Sequence, residues 1–169
     1  MTEFELEQTL RSPSTATVVA AYFDPAVTAA IDAALGVSDR QVLAHTVDEH
    51  GTRRESRLVM NRQLPAFLRP LVPGGIPCKE IIRWSPADGV MTVRVQPTGR
   101  AARASILSRV SLRDDGGLVR WHHDGQVSVD LRVLGPRVER YLVTEFKRSV
   151  EVVVATTQDW LDAQADGAG

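Results

Sequence analysis

The sequence predicts an α+β domain: a seven-stranded, curved antiparallel sheet around a long C-terminal helix, with two short helices after the first strand. Three observations carry this. An alternating apolar and polar segment, FELEQTL (4–10), precedes an Ala-rich helical stretch. Six further alternating segments follow, most joined by hairpin-length turns, which makes the strands mainly antiparallel. The last apolar pattern, from Val138 to Leu161, recurs at spacings of three and four.

In the first strand Phe4 and Leu6 oppose Glu5 and Glu7. Ser12 or Ser14 is then placed to cap a helix, with Pro13 near its first turn. Asp24-Pro25 breaks that helix and caps a second over residues 26–35, which Gly36 stops. RQVLAHTVDEHGTRRESRLVMNRQL (40–64) reads as two strands around DEHGT. CKEIIRW and GVMTVRVQ pair across SPADG, and ARASILSRVSLR and LVRWHHDGQVSVDLRV pair across DDGG. Between these hairpins, PAFLRPLVPGGIP has four prolines and two glycines, too many for a regular element. Its apolar residues, Phe67, Leu68, Leu71, Val72 and Ile76, suit either a lid over residues 65–77 or a plug on the open end of the core.

The segment FKRSVEVVVATTQDWLDAQ (146–164) has the composition of a strand but the period of a helix. Val138, Leu142, Phe146, Val150, Val153, Thr157, Trp160 and Leu161 share one face, and most charges lie elsewhere. A strand here would have no turn by which to leave. β-Branched residues cost only a few tenths of a kcal/mol each in a helix, which burial of one face outweighs. The expected helix is about 40 Å long and faces the sheet.

At 169 residues, 43% hydrophobic and 24% charged, the chain is sized for a single domain, placed at 1–164 with a frayed tail at 165–169. No apolar run reaches membrane-span length. The acidic start MTEFELEQTLRS lacks the pattern of a signal peptide, so a cytoplasmic location is expected. Eighteen arginines against two lysines fit GC-rich coding, and they are scattered among acidic residues, unlike the basic face of a nucleic-acid binder. The lone Cys78 excludes an internal disulfide and reads as a small semi-buried residue. Nothing in the sequence specifies an oligomeric state.

No metal or other cofactor is expected. His122 and His123 are adjacent on a strand and point to opposite faces, so both cannot ligate one ion. Asp114-Asp115-Gly116-Gly117 is a hairpin turn without the later ligands of a calcium loop. There is no P-loop, GxGxxG or GxSxG.

The last strand runs through Gly-Pro into the helix (DGQVSVDLRVLGPRVERYLVTEF), and the helix closes on TTQDWL. With the order of elements, these pieces resemble the START-like, or birch-pollen-allergen-like, helix-grip superfamily (SRPBCC), in an uncharacterised bacterial branch. The resemblance covers residues 3 to 162. It implies a cavity between sheet and helix that binds or transports a hydrophobic or amphipathic small molecule: a lipid, sterol, polyketide or aromatic compound. Fold alone leaves catalysis open.

Strand parity nominates the cavity wall. Inward positions include Leu43, His45 and Val47, then Ser56, Leu58 and Met60, then Met91, Val93 and Val95. Ile106, Ser108 and Val110 follow, then Val119, Trp121 and His123. The candidate ligand contacts are His45, Ser56, Met60, Trp84, Met91, Ser108, Val119, Trp121, His123, Phe146 and Val150, each also explicable as core packing. His45, Ser56, Ser108 and His123 need partners if buried, and are the polar groups such a pocket would use. An enzyme of the cyclase or hydrolase kind would use His123 or His45 as acid/base, but the sequence supplies no second catalytic group, so binding is the expected role and catalysis the alternative. A co-chaperone-like module would need an apolar outer sheet face, whereas the outward positions are mainly Arg, Ser and Asp.

Overall fold

The computed structural model describes residues 1–61, 65, 66, 69, 74–99, 102–131 and 134–167. The elements are β1 (Thr2–Arg11), α1 (Thr15–Phe23), α2 (Pro25–Leu35), β2 (Val37–Asp48), β3 (Gly51–Met60), β4 (Ile76–Ser85), β5 (Val90–Pro97), β6 (Ala104–Asp115), β7 (Leu118–Val129) and α3 (Gly135–Gly167). The strands form one antiparallel sheet in the order β1-β7-β6-β5-β4-β3-β2, so α1 and α2 carry the chain from one edge to the other. Phe67, Leu68, Leu71 and Val72, on which the lid expectation depends, lie outside the described residues.

The helix boundaries follow local chemistry. Ser14 Oγ accepts from Thr17 N at 3.2 Å and starts α1. Asp24 Oδ1 accepts from Ala26 N at 2.7 Å, with Pro25 in the first turn of α2. Gly36 ends α2 at φ +66°, a left-handed conformation that glycine adopts without strain.

The last helix has 33 residues, about 50 Å at 1.5 Å each. It begins at Gly135-Pro136, as expected, and is longer than expected because it continues past residue 164 to Gly167. Its burial is uneven. Val138 and Glu139 are buried at the start, and Val150, Val154, Thr157 and Leu161 toward the end. Nothing from 140 to 149 is fully buried; Leu142 and Phe146 are half-buried. Val153 and Trp160, expected on the central stripe, flank it. The start is tied to the sheet by Glu139, whose carboxylate accepts from Thr2 Oγ1 at 2.8 Å and Val129 N at 3.0 Å.

Phe4 lies over Gly125 on the adjoining strand and meets the Phe146 ring at a centroid distance of 5.0 Å. A Cβ at position 125 would collide with the Phe4 ring. The absent side chain is what lets Phe4 join β1, β7 and α3. The opposite edge is looser. β2 pairs with β3 through two register shifts, and Val42, Leu43 and Val47 are 53%, 47% and 74% exposed. Sequence parity places Leu43, His45 and Val47 inward; the register sets His45 opposite the buried Arg54 and Val47 opposite Thr52, but all three stay largely exposed, with only one face of His45 covered by Phe23. The irregular register breaks the alternation around Leu43, and the far half of β2 carries little cover.

Candidate functional site

Under the middle of α3 lies a largely apolar cavity of ≈150 Å³. The sheet contributes Met60, Ile76, Val93, Val95, Ile106, Trp121 and His123, and α3 contributes Tyr141, Leu142, Glu145, Phe146, Ser149, Val150 and Val153. Tyr22, Leu35 and Val37 close the side toward α1 and α2, and Glu80 is also in the wall. The half-buried stretch of α3 is the stretch that roofs this space.

The wall's polar centre is on β7. Trp121 and His123 stack at 5.8 Å with 10° between rings, and Phe146 meets His123 edge-on at 6.2 Å. Tyr22 meets Trp121 edge-on at 5.6 Å. Ser108 Oγ lies 3.0 Å from His123 Nδ1. If the hydroxyl donates, Nε2 carries the proton and is a donor; if Nδ1 donates, Nε2 is an acceptor. His123 Nε2 and Trp121 Nε1 are both buried with no hydrogen-bond partner among the described residues. Each buried unmet group costs about 1–3 kcal/mol. Burial pushes the His123 imidazole down to about 4, with the nearby His122 adding to the effect and Asp124 opposing it. At neutral pH the ring is therefore uncharged.

Next to this chamber, under α2, is a smaller cavity of ≈80 Å³ whose wall includes Thr28, Asp32, Arg40, Arg54, Leu58 and the shared Tyr22, Met60 and Glu80. Arg40 binds Asp32 through Nε (2.6 Å) and Nη2 (2.9 Å), and Glu80 through Nη1 (2.6 Å). Desolvation lowers the Arg40 pKa, but the Asp32 hydrogen bond and Glu80 charge more than offset it and hold the guanidinium charged. Burial, then the charge of Glu80, pushes the Tyr22 hydroxyl up to about 12. Burial likewise pushes the Cys78 thiol up to about 12, so it is not a thiolate nucleophile. Among the described residues, no group of three or more His, Cys, Asp or Glu is arranged to hold a metal ion.

Of the residues nominated from sequence, Met60, Trp121, His123, Phe146 and Val150 line the main chamber. Ser108 is fully buried behind His123, and Met91 and Val119 are fully buried in packing outside the wall. Ser56 is also fully buried outside the wall, with its Oγ unpartnered. Trp84 is half-buried and borders an open hollow with Thr46, Thr52 and Arg53. His45 is exposed on β2, with one ring face stacked on Phe23 at 6.0 Å. Sequence reasoning missed Tyr22, Arg54, Glu80, Tyr141 and Glu145. Two of these were within reach: Arg54 shares parity with Ser56 and Leu58, and Glu80 with Cys78 and Ile82.

Three comparisons bear on this arrangement. A family model described as a protein of unknown function (DUF2505) matches residues 7–161. The chain matches no curated protein. Among solved structures, TTHA0849 from Thermus thermophilus is similar at TM-score 0.67 and 13% identity, over 96% of this chain and 99% of that one. The ZhuI aromatase/cyclase from Streptomyces sp. R1128 aligns at TM-score 0.65 and 12% identity, over 99% and 98%. A START superfamily protein from Mycobacterium smegmatis aligns at TM-score 0.60 and 12% identity, over 96% and 98%. The fold is that of the START-like helix-grip superfamily.

Proposed function

The chain belongs to the DUF2505 family, and we propose that it binds a small apolar or amphipathic molecule, aromatic in size, between the sheet and α3. The observation that carries this reading is the pair of unpartnered ring nitrogens, Trp121 Nε1 and His123 Nε2, in two neighbouring residues of a largely apolar wall. A site with mostly apolar walls and a few convergent polar groups suits such a ligand. Size narrows the class. Typical pockets for larger ligands occupy roughly 300–1,000 Å³, whereas an engineered apolar cavity of about 150 Å³ in another protein accepts benzene. At ≈150 Å³ the chamber suits a single ring, and a sterol or long polyketide would require α3 to move.

Cyclase-type catalysis is the second reading, favoured by the unpartnered Nε2 of His123. A base with a pKa of about 4 is poorly matched to neutral pH. Ser108 is outside the cavity wall and serves as the positioning partner of the imidazole, not as a nucleophile. Binding is the better-supported role. No single helix among the described residues is long and apolar enough to cross a membrane.

Calorimetric titration of the full chain with toluene and p-cresol tests the reading. Both should bind, with p-cresol favoured by one hydrogen bond to His123, a factor of about 2–10. His123→Leu should remove that preference and retain toluene, and Ile106→Phe should weaken both by filling the chamber. If wild type takes up neither compound at millimolar concentration, the proposal fails.

A further inference from the structure

The cavity under α2 holds two arginines in unlike circumstances. Arg40 is closed by three hydrogen bonds to Asp32 and Glu80. Arg54 is only 6% exposed, yet it forms no ion pair with a carboxylate among the described residues. Its Nη1 donates to the neutral Thr28 Oγ1 at 2.8 Å, and its guanidinium lies 5.4 Å from the centre of the Phe23 ring. Its Nε is buried without an acceptor. A guanidinium has five N–H donors, so one hydroxyl and an aromatic face leave most of this desolvated cation unanswered.

Arg54 lines the ≈80 Å³ cavity, which shares Tyr22, Leu35, Val37, Met60, Glu80 and Val153 with the main chamber. We infer that this side cavity is a carboxylate subsite, and that the ligand is an apolar monocarboxylic acid whose acid group pairs with Arg54 while its body occupies the main chamber. This rests on the binding role proposed for that chamber.

The planar guanidinium matches a carboxylate with two parallel donors, which a neutral carbonyl oxygen cannot use equally. The groups facing the subsite are Asp32, Glu80, Arg40 and Tyr22. Asp32 and Glu80 oppose an incoming anion, but both already share the Arg40 guanidinium, which screens them. Attraction at contact with Arg54 outweighs repulsion from those partly neutralised groups. Tyr22, protonated at neutral pH, adds a neutral hydroxyl to the same wall.

The test uses three probes of nearly equal shape: 3-phenylpropionate, 4-phenylbutan-2-one and isopentylbenzene. They are titrated calorimetrically into wild type, Arg54→Met and Arg54→Gln. In wild type the acid should bind at least about 10-fold more tightly than the ketone, the scale of a charged hydrogen-bond pair. Both substitutions should erase that advantage, and toluene, which is small enough to stay in the main chamber away from Arg54, should bind both variants within about 2-fold of wild type and so report that the chamber is intact. Equal affinity for acid and ketone in wild type, or an acid preference that survives Arg54→Met and Arg54→Gln, overturns the subsite. Arg54-dependent acid binding without hydrocarbon binding would support the subsite and count against an apolar chamber. Failure of all three probes would overturn both.

Discussion

His123 concentrates the chemistry of the fold in one side chain. Its Nδ1 is held by Ser108, its face by Trp121 and its edge by Phe146, and its Nε2 is unpartnered. Keeping this ring neutral has a consequence for stability. An unfolded imidazole titrates near 6.5 and the folded one near 4. Between those values the unfolded chain binds the extra proton, so stability is full above 6.5 and is lost as pH falls toward 4, by up to about 3 kcal/mol. Urea midpoints measured from pH 7 to 4.5 should fall in wild type and stay nearly flat in His123→Gln. Equal slopes in the two proteins would mean that the imidazole is not held neutral by burial. The sequence revealed that this histidine shares parity with Val119 and Trp121. Its bond to Ser108 depends on the β6–β7 register, which no local pattern states.

Among the elements, α3 shows best how packing and cavity trade along one helix. Its later turns bury Val150, Val154, Thr157 and Leu161, while 140–149 passes over the chamber. Leu161→Ala should therefore cost about 2–5 kcal/mol in chemical denaturation. Phe146→Ala should fall below the roughly 3–5 kcal/mol usual for a buried phenylalanine, because part of the ring already borders empty space. A full-sized loss at Phe146 would mean that it is packed on all sides. Gly125→Ala should destabilise by about 1–3 kcal/mol through its collision with Phe4. Phe4→Leu in the same chain should recover part of that loss, and strictly additive effects would place the strain elsewhere. The helix was legible from apolar spacing alone, although VEVVVATT has the composition of a strand. The choice between Val153 and Val154 for the central stripe was not, since neighbouring valines give a period no phase. Likewise, parity on β2 was readable, but its two register shifts and exposed apolar residues depend on the edge position of the strand.

At the scale of the molecule, the sheet, α3 and the two short helices enclose an apolar chamber with aromatic residues toward β7, adjoined by a smaller cavity with a charged cluster toward β3 and β4. The order of elements was readable because hairpin turns and caps are local. The charged end was not read, because inward Arg54 and Glu80 break the rule that charges on a sheet face solvent. Their placement follows from Arg40 and Thr28 arriving from other elements. On the reading proposed above, the space beneath α3 accepts a small apolar molecule. Methyl-resolved carbon NMR of Ile-, Leu- and Val-labelled protein, titrated with toluene, tests it most directly. Saturable shifts should be confined to chamber methyls such as Ile76, Val93, Val95, Ile106, Leu142 and Val150, with Leu10, Val18, Val27 and Val110 unmoved. Absent shifts, or shifts largest at the exposed Val42, Leu43 and Val47 of β2, would contradict it.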